Sequence, residues 1–357
     1  MKKLVVALSA IALALGACAH SADSANQPGA DKSPQAARTD SDMQAVLDAH
    51  AALGPKPMEK LDPKQARAQP TPADAVMAVL KAQKRGTAPS DLVPGVTHAD
   101  RSIPGAAGSI PARVYTPAGS GPFPVIVYLH GGGWVIGNKE VYDGGARGIS
   151  KQANAIVISV DYRLAPENKF PASWDDSFAA YQWALQNAAS LKGDPKRMAL
   201  AGESAGGGLA LATAIAARDA KVQMPLHVLS VYPIAQTSTD TASYNEHAMA
   251  KPLNKAMMQW FFGHASRNPN DFKDPRMNLV GANLSGLPPV TIINAQIDPL
   301  LNDSVMLEAA LKKAGVQVER REYAGVTHEF FGMAAVVKDA QEAQSFAGQR
   351  LRKAFGS

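Results

Sequence analysis

The chain has 357 residues, 46% of them apolar and 6% aromatic, with a formal net charge of +5. That length and apolar content supply the core of one large domain with additions, or of two domains, without help from disulfides. The positive charge forms no lysine/arginine cluster or basic-aromatic stripe, which argues against a nucleic-acid partner, and a single cysteine, Cys18, excludes a disulfide within the chain.

Lys2 and Lys3 form a positive start, and Leu4 to Leu15 is an apolar run too short to span a bilayer comfortably. This is the pattern of an export signal. Leu15-Gly16-Ala17-Cys18 resembles the bacterial lipoprotein processing box, in which the cysteine becomes the lipidated first residue of the mature protein. Ala17-Cys18-Ala19 also fits the small-x-small site of ordinary secretion, so both readings stand. The resemblance implies export to the cell envelope and a membrane partner through a lipid on Cys18. Ala19 in place of Asp implies passage to the outer membrane. Residues 19–42 are Ala, Ser, Asp, Gln, Pro and Gly with almost no large apolar side chain, and read as a disordered linker.

Order is expected from Met43. Met43, Val46, Leu47 and Leu53 recur at helical spacing. Thr71 as N-cap and Pro72 at the first helical position open a second helix through Val76, Met77, Val79 and Leu80, stopping before Gly86. Gly54-Pro55-Lys56-Pro57 and Asp62-Pro63 break the chain between them. Residues 43–90 therefore read as cap helices or as a packing arm. Val96–Ile103 and Ile110–Tyr115 read as an edge hairpin around a Pro/Gly turn. Val125–Leu129 is continuously apolar, as a strand buried on both faces must be. Strands are expected at Ala155–Val160, Met198–Ala201, Leu226–Tyr232, Pro289–Ala295 and Val316–Tyr323. A helix is expected over Ser173–Leu191, with Trp174, Phe178, Tyr181 and Leu185 on one face, and an amphipathic helix closes the chain over Ala335–Phe355. Such alternation predicts an α/β fold, a mostly parallel sheet with helices on both faces. Ligands of such sheets sit beyond the carboxyl ends of the strands.

Gly202-Glu203-Ser204-Ala205-Gly206-Gly207 lies between a short apolar strand and an Ala/Leu-rich helix. Gly-x-Ser-x-Gly in that setting is the nucleophile elbow, where glycines two residues to either side let strand and helix approach. Ser204 then stands at the positive end of a helix, and the Ala205 N–H faces the place where an oxyanion forms. His130-Gly131-Gly132-Gly133-Trp134 follows another strand end, and its glycines free the Gly132 and Gly133 N–H groups for the same oxyanion hole. His130 itself reads as a structural hydrogen-bonding residue. Asp298 follows the Pro289–Ala295 strand, with Asp303 as a helix cap or runner-up acid, and His328 follows the last strand. Ser204, Asp298 and His328, each after a strand, stand in the chain order of a hydrolase triad. No His/Cys/carboxylate cluster has metal-ligand spacing, so no metal or cofactor is implied.

These motifs, with Asp161-Tyr162-Arg163-Leu164-Ala165-Pro166-Glu167, Phe170-Pro171-Ala172 and His328-Glu329-Phe330, resemble the hormone-sensitive-lipase-like branch of the α/β hydrolases, the bacterial serine carboxylesterases. The resemblance runs from about Thr71 to the C-terminus. It implies hydrolysis of short- to medium-chain carboxylic esters, a hydrolase domain over residues 91–357, and a cap completed by a stretch at about 235–275. That stretch holds Met257, Met258, Trp260, Phe261 and Phe262. It also implies a buried polar network of Asp161, Arg163 and Glu167 behind the site. The family usually has Asp before the nucleophile, where this chain has Glu203. The same triad would serve an amide, lactone or thioester hydrolase, and a non-catalytic receptor on this fold is the remaining alternative. Such receptors typically lose the triad histidine.

Overall fold

A computed structural model of the chain describes residues 38–357. The export signal, Cys18 and the linker up to residue 37 lie outside the described residues. The chain forms one eight-stranded sheet in the order β1-β2-β4-β3-β5-β6-β7-β8. The strands are β1 (Val96–Gly105), β2 (Gly108–Pro117), β3 (Phe123–Leu129), β4 (Ile156–Val160), β5 (Gly193–Glu203), β6 (Val228–Val231), β7 (Val290–Ile297) and β8 (Val318–Thr327). β1 and β2 form the expected antiparallel hairpin at one edge, β2 runs antiparallel to β4, and every other neighbouring pair is parallel.

The central strands show why they read as continuous apolar runs. β3, β4 and β6 are buried at every residue. Side chains alternate across the sheet: Val125, Val127 and Leu129 point into one core and Ile126 and Tyr128 into the other. The helices are α1 (Ser41–Ala52), α2 (Pro63–Arg67), α3 (Pro72–Ala82), α4 (Pro89–Leu92), α5 (Asp143–Ala153), α6 (Ala172–Asn187), α7 (Ala205–Asp219), α8 (Ala242–Glu246), α9 (Lys255–Ala265), α10 (Leu301–Lys313) and α11 (Lys338–Phe355). Trp174, Tyr181, Leu209 and Leu211 of α6 and α7 fill the first core, and Ile149, Ala343 and Leu351 of α5 and α11 fill the second.

Several boundaries differ from the expectation. α1 begins at Ser41, inside the stretch read as linker, because Asp40 and Asp42 have partners: the Asp40 N–H donates to Gly325 O at 2.8 Å and Asp42 accepts the Lys338 N–H at 2.8 Å. Asp62-Pro63 does not break the chain but opens α2. Asp62 accepts the Gln65 N–H at 2.8 Å as an N-cap, and proline occupies the first turn, where no N–H is needed. β7 and β8 run two and four residues further than expected, so Asp298 and His328 follow their strands directly.

Candidate active site

Three loops at the carboxyl end of the sheet bring Ser204, Asp298 and His328 together. Ser204 joins β5 to α7 with φ 56° and ψ −119°, a conformation sterically disfavoured for an L-residue. It is held there from both sides. Its N–H donates to Val231 O at 2.8 Å, and its carbonyl accepts from Gly208 and Ile234, each at 3.2 Å. The flanking glycines are obligatory: a Cβ on Gly202 would strike the Gly206 carbonyl, and one on Gly206 the Leu129 carbonyl. His328 Nε2 lies 3.0 Å from Ser204 Oγ, and His328 Nδ1 lies 2.7 Å from an Asp298 carboxylate oxygen. The other Asp298 oxygen accepts the Leu300 N–H at 2.8 Å. All three side chains are buried, and the Tyr232 ring lies against the imidazole, 4.4 Å between centroids.

The electrostatics favour a protonatable imidazole. Burial works against charge on His328, but Asp298, then Glu329 and Glu203, outweigh it and hold its pKa above the ordinary histidine value. Asp303, the runner-up acid, lies elsewhere. It accepts the Ala235 N–H at 3.0 Å and the Gln236 side-chain amide at 2.7 Å, fastening the chain after β6. Burial pushes it up to about 7.

Gly132 and Gly133 sit at φ 97° and 58°. A Cβ on Gly133 would collide with the Phe261 side chain of α9, so the glycine loop and that helix are in direct contact. Among the described residues, the N–H groups of Gly132, Gly133 and Ala205 find no protein acceptor. His130 is buried against Tyr162, 4.2 Å between rings, and its Nδ1 lies 2.7 Å from Gly131 O, a structural placement.

A cavity of about 620 Å³ opens over Ser204 and His328. Its walls come from two separate pieces of chain. Leu47, Met58 and Ala66 belong to the N-terminal helices, and Met257, Met258 and Phe261 to α9, so part of the Met/Phe cluster faces the cavity. Phe262 turns inward onto Trp134 instead, 6.0 Å between rings. Arg67 of α2 clamps the N-terminal piece down. Its guanidinium donates to Val135 O at 2.8 Å, to Ala165 O at 2.7 Å, and to both Glu167 oxygens at 2.9 and 2.7 Å.

That clamp also corrects an expectation. Asp161, Arg163 and Glu167 do not form one buried network. Asp161 pairs with Lys139 at 3.0 Å, Arg163 with the fully buried Asp176 at 2.8 Å, and Glu167, more than half exposed, with Arg67. Glu203, by contrast, is well supported. Its carboxyl is buried between the Tyr128 and Tyr232 hydroxyls, and burial, with the nearby Glu329 charge, pushes it up to about 8. Sequence reasoning missed Arg67 and Asp176, which meet partners outside their own motifs, and quoted Glu329 within His328-Glu329-Phe330 without giving it a role. The one local signal was the Asp62-Pro63 cap that places Arg67.

The model of a family described as alpha/beta hydrolase fold matches residues 126–332. Carboxylesterase NlhH of Mycobacterium tuberculosis is 37% identical over 292 residues, 80% of this chain and 91% of the relative. Ethyl acetate hydrolase of Pseudomonas putida is 33% identical over 240 residues, 66% of this chain and 75% of the relative. The solved structure of an esterase from Pyrobaculum calidifontis superposes with a TM-score of 0.76 at 32% identity, covering 85% of this chain and 97% of that one. With an elbow serine after β5, an acid after β7 and a histidine after β8, the chain belongs to the α/β-hydrolase family, in its hormone-sensitive-lipase-like branch.

Proposed function

We infer that the carboxylic ester hydrolase activity of this chain runs through Ser204, His328 and Asp298 and takes short- to medium-chain acyl groups. The observation that carries this is the unbroken line from Asp298 through His328 to Ser204 Oγ, with contacts of 2.7 and 3.0 Å. In that arrangement His328 Nε2 takes the Ser204 proton as Oγ attacks the ester carbon. Asp298 fixes the imidazole tautomer and stabilises its cation. The Gly132, Gly133 and Ala205 N–H groups receive the oxyanion, each such donor contributing about 3 kcal/mol. The proton passes to the departing alkoxide, leaving an acyl-serine, and water then repeats the steps in reverse.

The cavity's size supports the acyl range. About 620 Å³, enclosed by α9 and the N-terminal helices, accommodates a small ester. The relative named for ethyl acetate is consistent with a short acyl group. Each buried CH₂ contributes about 0.8 kcal/mol until the space is filled. A panel of p-nitrophenyl esters from acetyl to palmitoyl is expected to give kcat/KM that rises and then falls before the long chains. Specificity climbing through long-chain triglycerides would reject the enclosed-pocket reading.

We further propose that Cys18 carries the lipid that anchors the enzyme. A diacylglyceryl group plus an amide-linked chain holds a protein stably at a bilayer, as one acyl chain does not. A random coil of about 20 residues has a root-mean-square reach of about 25 Å. Intact-mass measurement of protein from a lipoprotein-processing host is expected to find Cys18 at the N-terminus with added acyl mass. Cys18→Ala protein should change fractionation and keep its turnover. A lipid-free N-terminus at His20 would establish ordinary secretion instead.

A further inference from the structure

Glu329 is a partly buried acid, its side chain one-fifth exposed, that none of the steps above uses. It follows His328 directly with φ 72°, in the left-handed region that disfavours a side chain. Its carboxylate lies 4.0 Å from His328 Nε2, the nitrogen that faces Ser204. The same oxygen accepts the Tyr142 O–H at 2.7 Å. Asp298 meets the opposite nitrogen, so the imidazole lies between two carboxylates. Among the described residues no lysine or arginine pairs with Glu329, and it borders both the cavity over Ser204 and a second one of about 390 Å³ behind it.

We propose that Glu329 is a positioning residue that stabilises the imidazolium form of His328 from its Nε2 side during both proton transfers of ester hydrolysis. This rests on the reading of Ser204, His328 and Asp298 as the reacting set. The groups facing the imidazole are Ser204 and Glu203 from the end of β5, Tyr232 after β6, Asp298 after β7, and Glu329 itself, which Tyr142 holds from the start of α5. Glu203, whose carboxyl burial pushes up to about 8, adds the smallest of the three contributions that raise His328, after Asp298 and Glu329. Burial, with a smaller push from the Asp298 charge, holds Glu329 above the usual carboxyl value, and a charged His328 and the Tyr142 hydrogen bond offset part of that rise. A strained backbone at a reacting residue's neighbour has a function to explain it, since the turn is what returns the carboxylate toward Nε2.

The sign of the effect is fixed. A carboxylate beside His328 favours the protonated ring, so its loss lowers the histidine pKa. The active form is the neutral ring, so the acid limb of the pH profile moves down. Glu329→Gln keeps the shape and removes the charge. With p-nitrophenyl acetate, its acid limb in kcat/KM is expected to fall by about one pH unit. Its alkaline plateau should drop about tenfold. Stopped-flow separation of the burst from the steady state should find acylation and deacylation slowed alike, because His328 becomes charged in both. Tyr142→Phe, which removes the hydrogen bond holding the carboxylate, should move the acid limb the same way by less and serves alone if the first variant does not fold. A rate loss with an unmoved acid limb would reduce Glu329 to a structural role, and a loss confined to deacylation would make it a holder of water; either overturns the proposal. Persistent turnover by Ser204→Ala protein would instead overturn the underlying triad reading.

Discussion

Ser204→Ala protein is expected to fold normally and to lose hydrolysis by on the order of 10⁴-fold or more. The folding half follows from how the elbow is held. Its strained backbone is fixed by main-chain bonds to Val231, Gly208 and Ile234, none of which involves the hydroxyl. Among the described residues, the only side-chain bond at stake is the one to His328. The catalytic half follows from the loss of the atom that forms the acyl bond, while the N–H groups and the cavity persist. Circular dichroism and a thermal melt beside a steady-state assay check both halves, and covalent labelling by a fluorophosphonate should disappear with the hydroxyl. Substantial turnover in the folded variant would reject the mechanism.

Asp298→Asn is expected to cost about 10⁴ in turnover. Asp298 offers one oxygen to His328 Nδ1 and the other to the Leu300 N–H. An amide there satisfies one of the two. If its oxygen stays with Leu300, its NH₂ group faces Nδ1 and forces the proton to Nε2, the wrong tautomer for accepting from Ser204. Asp303→Asn should behave differently. Its carboxylate receives the Ala235 N–H and the Gln236 amide, so an asparagine leaves a buried donor facing donors. The expected result is a stability loss of about 1–3 kcal/mol with turnover largely kept. Steady-state rates and melting temperatures of the two variants, measured side by side, decide which carboxylate serves His328. If the costs were exchanged, the acid would be Asp303.

Both variants test the sequence reading that put Asp298 first and Asp303 second, because Asp298 lies nearest its strand end. Most of the sheet was legible because its signal is local. Val125–Leu129 is apolar at every position since both faces are covered, and Thr71-Pro72 carries its own start signal. α5 had no such signal. Its sequence, Asp143-Gly144-Gly145-Ala146-Arg147-Gly148, has the glycine content of a loop. The glycines serve contact: a Cβ on Gly144 would meet the Gly332 carbonyl, one on Gly145 the Glu203 carboxyl, and one on Gly148 the Gln344 amide. Tertiary approach overrode helix propensity there. The candidate site was legible in Ser204, Asp298 and His328 because each follows a strand in a fixed order. Glu167 was misread because its partner, Arg67, lies a hundred residues earlier. Nothing local to Asp161-Tyr162-Arg163 tells which cations and acids will meet.

The Arg67 fork makes substrate affinity a property of two equilibria. The cavity exists only while the N-terminal helices are seated, because Leu47, Met58 and Ala66 are part of its wall. Whatever fraction of molecules has those helices lifted lacks that wall, and the observed affinity is the intrinsic one scaled by the seated fraction. Reciprocity requires the converse: an ester filling the cavity lowers the free energy of the seated state and suppresses opening of residues 41–82. Val135 O and Ala165 O, the two carbonyls that Arg67 grips, flank the glycine loop and the turn behind it. Occupancy of the pocket and attachment of the chain's beginning are therefore thermodynamically linked, and the Arg67 guanidinium is one of the contacts that carry the link, beside Asp40 on Gly325 and Trp260 on Leu61.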